Sequence, residues 1–312
     1  MRRILVTAIS GDIGNGILKI LKENKDIHIF GCDVNEIAVG MDLVEEFWQS
    51  KYAVEDGYIE ELLEKCKKYE ITHLIPVNER EIEVIGKERF RFEKNHIKLV
   101  LQSENILEIC LDKYITAKFL SQNGFDVPMT YISKNEIPDI KKTYICKPRK
   151  SNGSKNIFVF YPDENKEIDD KKQENLVFQE YIECDDEYTI GVFKYKDVIN
   201  TIAFKRKLKN GYSNQVELSH DEKLVQIAKK IAEIMQLEGY INIQLRKQKN
   251  RYYIFEINPR ISGTVRFRHM LGYTDVLWWL DVLDSKSVEL YRCPYKKALG
   301  IRELNEKYLV LE

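Results

Sequence analysis

Neither sign of charge dominates this chain. Its 49 lysines and arginines stand against 50 aspartates and glutamates, so there is no global basic field to hold a nucleic-acid backbone, and no nucleic-acid partner is expected. Cysteine is sparse. The six, at 32, 66, 110, 146, 184 and 293, include no Cys-x-x-Cys pair, which argues against a zinc ribbon or a disulfide framework and reads as reduced, mostly buried thiols. The five histidines show no metal-ligand spacing. Long apolar runs are missing too. The most apolar late stretch, 276–283, holds Trp278 and Trp279 but also Asp281, and falls far short of the ~20 residues a bilayer requires. It is expected to be a core-facing helix, with no membrane partner. Met1-Arg2-Arg3 leads directly into an apolar segment too short for a signal-peptide core, so the expected location is cytoplasmic.

What is present is enough apolar residue, 44% of 312, for two or three packed units. Residues 4–8, 27–32, 73–77 and 97–101 read as buried strands. Helical spacing lies between them, through Leu21, over 58–68 and over 81–92. That alternation predicts a doubly wound parallel sheet. From about Ser103 the pattern changes. A helical stretch over 113–120 ends at Gly124, and extended segments follow within 131–149 and over 156–160 and 176–181. Paired strands are expected over 187–193 and 198–205, then a helix capped by Asp221, a hairpin over 240–247 and 252–257, and helices over 264–271 and 274–283.

The densest chemistry lies in Tyr253-Ile254-Phe255-Glu256-Ile257-Asn258-Pro259-Arg260. Strand alternation places Glu256 and Asn258 on one face, where a carboxylate and an amide suit Mg²⁺, which takes few protein oxygens and completes its shell from water and phosphate. Arg260 follows the turn-forming Pro259, where a guanidinium can grip a phosphoryl group. Gln244 lies across the hairpin and can turn its oxygen to the same pair. Upstream, Lys147 ends a strand before the small polar loop Ser151-Asn152-Gly153-Ser154, a combination that suits phosphates. Phe178-Gln179-Glu180-Tyr181-Ile182 offers backbone groups between apolar side chains for an adenine, and Glu187 stands seven residues beyond Glu180, within reach of ribose hydroxyls.

In this order, together with Leu111-Asp112-Lys113 opening a helix, the residues resemble the ATP-grasp superfamily. The likeness is strongest to the synthetase half of the carbamoyl phosphate synthase large chain and its stand-alone relatives. The resemblance spans nearly the whole chain. It implies a Rossmann-like parallel-sheet domain over 1–103, then a two-lobed α+β ATP-grasp domain, with a small lobe and lid over 104–182 and a large lobe with the metal site over 183–312. It further implies that Lys113, Lys147, Ser151, Gly153 and Ser154 hold nucleotide phosphates, that Glu180, Tyr181 and Ile182 form the adenine hinge, and that Glu187 takes the ribose. Gln244, Glu256 and Asn258 would bind Mg²⁺, with Mn²⁺ as a substitute, and Arg260 would steady the γ-phosphate. The implied chemistry is ATP-dependent activation of a small carboxylate as an acyl phosphate, captured by an amine. Phosphoryl transfer asks for positioning and charge stabilisation, so the want of a persuasive Ser-His-Asp or Cys-His pairing is expected. A single glycine in the lid, and Lys155 where relatives often carry another, depart from the family pattern. One synthetase unit also supplies one phosphorylation site, not the two that carbamoyl phosphate synthesis uses in that family.

Other signals are weaker. Gly11-x-x-Gly14-x-Gly16 with Asp33 resembles an off-register dinucleotide fingerprint, which keeps an NAD(P)-dependent oxidoreductase as the rival from another class. A non-catalytic ATP sensor is a third reading. Glu79 and Glu81 read as a capped helix start or a pocket wall. Arg206, at a strand end, is weighed evenly between a basic turn and a catalytic contact to phosphate or acyl substrate. Arg268 is read as an acceptor-carboxylate clamp or a surface residue. The Trp-bearing late helix leaves room for a homodimer interface.

Overall fold

A computed structural model describes residues 1–139, 141–150, 157–162, 175–184 and 186–303. It begins with a five-stranded parallel sheet of β1 (Arg2–Val6), β2 (Ile27–Asp33), β3 (Glu46–Gln49), β4 (His73–Ile75) and β5 (Lys98–Leu99), in the order β3-β2-β1-β4-β5. The central strand is covered on both faces, with Ile4, Leu5 and Val6 at 0% exposure, which is why it reads as an unbroken apolar run. Helices α1 (Asp12–Lys22), α2 (Tyr58–Lys68), α3 (Glu79–Lys87) and α4 (Arg89–Lys94) connect and cover the strands. The helix expected over 81–92 is thus two helices, meeting at Glu88. It also starts earlier, because Asn78 caps it reciprocally with Glu81.

Helices α5 (Glu104–Cys110) and α6 (Lys113–Gln122) lead to a four-stranded antiparallel sheet of β6 (Thr130–Tyr131), β7 (Tyr144–Pro148), β8 (Phe158–Phe160) and β9 (Leu176–Glu180), ordered β6-β9-β7-β8. A six-stranded antiparallel sheet follows: β10 (Asp186–Tyr195), β11 (Val198–Lys209), β12 (Tyr212–Ser219), β13 (Gly239–Gln248), β14 (Arg251–Asn258) and β15 (Leu299–Ile301), ordered β14-β13-β10-β11-β12-β15. The polar strand β12 and the short strands β3 and β15 escaped the sequence reading, since none carries a strong apolar period. Helix α7 (Glu222–Ile234) packs on one face of this sheet, while α8 (Val265–Met270) and α9 (Asp275–Leu283) lie toward the parallel sheet.

One core runs across that junction. Ile17, Leu18 and Leu21 of α1 pack in the same cluster as Phe193, Tyr240, Val265, Tyr273 and Trp279. Two glycines of the supposed fingerprint serve this packing. A Cβ on Gly14 would lie 2.5 Å from the Ala8 carbonyl oxygen, and one on Gly16 would lie 2.6 Å from Val265 Cγ1. Trp279 is buried and Trp278 stacks edge-on with Phe193 and Tyr273, so both tryptophans pack against this core. Cys32, Cys66, Cys110 and Cys146 are buried free thiols. Among the described residues, no helix is long and apolar enough to cross a membrane.

Candidate active site

A cavity of about 280 Å³ lies between the two antiparallel sheets and reaches the C-terminal edge of the parallel one. The four-stranded sheet supplies Lys147, Gln179, Glu180 and, just past β9, Ile182. The six-stranded sheet supplies Glu187, Arg206, Gln244, Arg246, Phe255, Glu256 and Asn258, and Arg260 follows it; Lys113 and Glu79 close the remaining side. Residues from all three parts of the chain therefore converge here. Ser151, Gly153 and Ser154 lie outside the described residues.

The strand end that drew attention is shaped by a bulge. Gln244 pairs with Glu256 and Asn242 with Asn258, but Leu245 pairs with Ile254, which leaves Phe255 as an extra residue. Among the described residues, no hydrogen bond or ion pair engages the Glu256 carboxylate or the Asn258 amide. A carboxylate and an amide with available oxygens fit a hard cation that draws its other ligands from phosphate and water. Gln244 faces the pair as expected, yet its Oε1 accepts a 2.7 Å bond from Arg206 Nη2.

Lys147 is 6% exposed and donates to Gln179 Oε1 at 2.8 Å. Burial lowers its pKa to about 8; Lys113 and Arg246 push the same way, and Glu256 opposes them. Lys113 is buried as the first residue of α6, held by the Asp112 cap and by its own amide bonding to Arg149 O at 3.1 Å. Asp112 in turn accepts from Arg149 Nη2 at 2.6 Å, which ties the helix start to the end of β7.

At the hinge, the Glu180 and Tyr181 amides already donate to Met129 O (2.8 Å) and Thr143 O (2.9 Å). Among the described residues none accepts from the Ile182 amide. Glu187 is gripped from two sides: Oε1 accepts from Arg206 Nε (3.0 Å) and Nη2 (2.7 Å), and Oε2 from Arg246 Nε (3.2 Å). Arg246 also lies over the Tyr181 and Phe255 rings.

Arg260 bonds to Glu79 Oε1 at 3.2 and 2.9 Å. Burial raises the Glu79 pKa; Arg260 opposes that and Glu256 adds to it. Of the residues around Asn78, Glu79 thus lines the cavity. Glu81 turns inward to Thr7 and Tyr58, and exposed Arg80 pairs with Glu83.

One expectation is corrected, and the rival dinucleotide reading loses a ligand. Arg268 is neither a clamp nor a surface residue: it is 0% exposed, pairs with Asp275 at 2.6 Å and braces Ser262 and Thr264 at 3.0 and 3.1 Å, so its guanidinium organises the loop after Arg260. Asp33, the would-be ribose ligand of a dinucleotide site, is buried and accepts from the Ser10 and Asn35 amides. Sequence reasoning passed over Arg246, Phe255 and Gln179. A signal for Arg246 existed, since it lies two residues beyond Gln244 on one strand and so shares its face.

The geometry defines a two-lobed protein in which lysines from separate elements and a strand end bearing a carboxylate and an amide face one cavity. The chain belongs to the ATP-grasp superfamily: residues 110–264 match the family described as ATP-grasp domain, and 4–100 match the PylC-like N-terminal domain. An uncharacterized protein of Methanocaldococcus jannaschii is 29% identical over 163 residues, which span 49% of this chain but only 41% of that protein. The fold is similar to the biotin carboxylase domain of Hydrogenobacter thermophilus 2-oxoglutarate carboxylase, solved with MgADP (TM-score 0.75, 14% identity, 92% of this chain and 70% of that one). It is also similar to L-amino acid ligase from Bacillus licheniformis (TM-score 0.69, 13%, covering 91% and 74%). N5-carboxyaminoimidazole ribonucleotide synthetase from Thermotoga maritima resembles it as well (TM-score 0.65, 15%, covering 96% and 80%). At such identities the likeness shows the fold. These neighbours form a broader set than the carbamoyl phosphate synthase unit that the motifs resemble.

Proposed function

We propose that this ATP-grasp protein is a Mg-ATP-dependent carboxylate–amine ligase that activates a small carboxylate, such as an amino acid, as an acyl phosphate for capture by an amine. The observation that carries this reading is the convergence of Lys113, Lys147 and Arg260 with Glu256 and Asn258 on one cavity beside the hinge. In the proposed arrangement, the Ile182 amide is the hinge donor left for adenine, and Glu187 accepts from the ribose. Lys113 and Lys147 neutralise phosphate, together with Ser151, Gly153 and Ser154. Arg260 and Arg206 stabilise charge on the moving phosphoryl group.

Glu256, Asn258 and Gln244 are the residues that would hold Mg²⁺ or Mn²⁺. The metal supplies Lewis-acid neutralisation of phosphate charge when bound. The unit boundaries that go with this reading are 1–103, 104–182 and 183–312. We further assign a cytoplasmic location, and the MgADP-bound domain dimer among the similar structures supports testing a homodimer.

The test is ADP release by the purified protein with Mg-ATP, across a panel of amino acids and other carboxylates, each with and without amines. Stimulation by one carboxylate–amine pair supports a ligase. Mg-ATP binding with no release on any pair favours a sensor, and no nucleotide binding overturns the reading.

A further inference from the structure

Arg206 holds two groups with one guanidinium. Its Nη2 donates to Glu187 Oε1 and to Gln244 Oε1, each at 2.7 Å, and its Nε adds a 3.0 Å bond to the same Glu187 oxygen. The three residues lie on the adjacent strands β11, β10 and β13, with Glu187 in register with Arg206 on one side and Arg246 on the other, and Gln244 two residues from Arg246. The Arg206 and Glu187 side chains are 10% and 14% exposed, so the bridge sits where water screens it weakly.

Acceptor capacity makes this bridge consequential. A carboxylate offers about four lone-pair directions. Arg206 takes two on Oε1 and Arg246 takes one on Oε2, which leaves one. Two ribose hydroxyls cannot both donate to Glu187 unless an N–H leaves, and because Arg206 Nη2 divides its two protons between Glu187 and Gln244, a guanidinium that withdraws from Glu187 withdraws from Gln244 as well. A divalent cation on Gln244 Oε1 likewise meets the guanidinium charge at close range.

Building on the proposed roles of Glu187 and Gln244, we propose that Arg206 couples nucleoside recognition to the metal site: ribose binding at Glu187 releases Gln244 Oε1 to the cation. The two ligands then favour each other by the same factor in either order, as linkage requires.

Adenosine separates this coupling from metal delivery by phosphate, because it carries the hydroxyls and no phosphate. Mn²⁺ binding to the nucleotide-free protein is measured by the loss of free-ion electron paramagnetic resonance signal, with and without saturating adenosine. Adenosine is expected to tighten Mn²⁺ at least roughly 5-fold, the lower end of usual coupling, and 2′,3′-dideoxyadenosine to leave it unchanged. Arg206→Met is expected to bind Mn²⁺ alone as tightly as the wild type does with adenosine, and to gain nothing further from it. Should that variant not fold, the contrast between the two nucleosides on the wild type decides the matter. Unchanged or weakened Mn²⁺ binding with adenosine, or coupling that survives in Arg206→Met, overturns the proposal. A Glu256→Ala control assigns the failure: if Mn²⁺ binding drops there while adenosine has no effect, only the coupling is wrong. If Mn²⁺ binding is indifferent to Glu256, or adenosine does not bind, the site reading falls with it.

Discussion

Gln244 on β13 stands directly opposite Glu256 on β14, and the ladder slips by one residue immediately beside them. The slip lets Phe255 and Glu256, neighbours in sequence, both line the cavity, while Ile254 and Ile257 both enter the core behind it. An uninterrupted strand would send Phe255 and Glu256 to opposite faces. The bulge thus sets an aromatic wall beside the carboxylate that we assign to the metal.

Glu256→Ala tests that assignment. The carboxylate has no bonding partner among the described residues, so the melting temperature is expected to stay within the range of ordinary surface changes. Metal-dependent ADP release is expected to fall roughly 10²–10³-fold, the cost usual for removing one electrostatic stabiliser. A folded variant with full turnover would remove Glu256 from the metal set.

Lys147 predicts a pH limb. Its pKa in the protein is about 8, lowered chiefly by burial, and the protonated form is the one that attracts phosphate. Below pH 8 the charge is in place. As pH rises through 8, ATP binding must take up a proton, so the Kd for ATP is expected to climb toward about tenfold per pH unit. Calorimetry in two buffers of different ionisation heat detects that proton uptake. Lys147→Ala should weaken ATP at every pH and abolish the limb.

His73 predicts acid sensitivity of the fold. Its ring is 3% exposed, with Nδ1 2.8 Å from Thr72 Oγ1 and Nε2 3.1 Å from Asp284 Oδ1. Asp284 is already paired with Arg2 and Lys98, so burial prevails and the His73 pKa falls to about 4, from 6.5. The folded value lies below the unfolded one, so the unfolded chain binds the proton first as pH drops. Stability is complete above about pH 6.5 and declines toward pH 4, by up to about 3 kcal/mol at 1.36 kcal/mol per unit. Asp284, depressed from 3.8 to about 2 by Lys98 and Arg2 against its own burial, adds a further loss only between those values. Urea midpoints of wild type and His73→Gln between pH 4 and 7 check this: the variant should show a flatter profile.

Gly16 predicts a repairable clash. Its absent Cβ would lie 2.6 Å from Val265 Cγ1 in the shared core, so Gly16→Ala is expected to cost about 1–3 kcal/mol as overpacking. Val265→Ala in the same chain should recover part of that cost. Additive losses in the double variant would show that α1 and α8 do not meet as described.

The parallel sheet, most of the strands along the chain and strand-borne residues such as Glu256 and Asn258 were readable in one dimension, because burial on both faces writes an apolar run and a half-buried strand writes a two-residue period. Glu256 and Asn258, two apart, needed nothing more. Glu79 lies 177 residues from Glu256 in the numbering, and no local pattern distinguishes a carboxylate that caps a helix from one that meets Arg260. Arg268 failed for the same reason: an arginine on a short helix resembles a surface cation until Asp275, Ser262 and Thr264 close around it.

By itself the sequence determined which side chains an unbroken strand turns to one face, Glu256 with Asn258 among them, whereas the bulge that sets Phe255 beside Glu256 came from the strand pairing. Only the tertiary structure decided which charges face one another. The pairs Arg206 with Glu187 and Gln244, and Arg260 with Glu79, join elements far apart in the chain. Whether a cation grips phosphate or an internal carboxylate depends on distances that exist only once the sheets have packed.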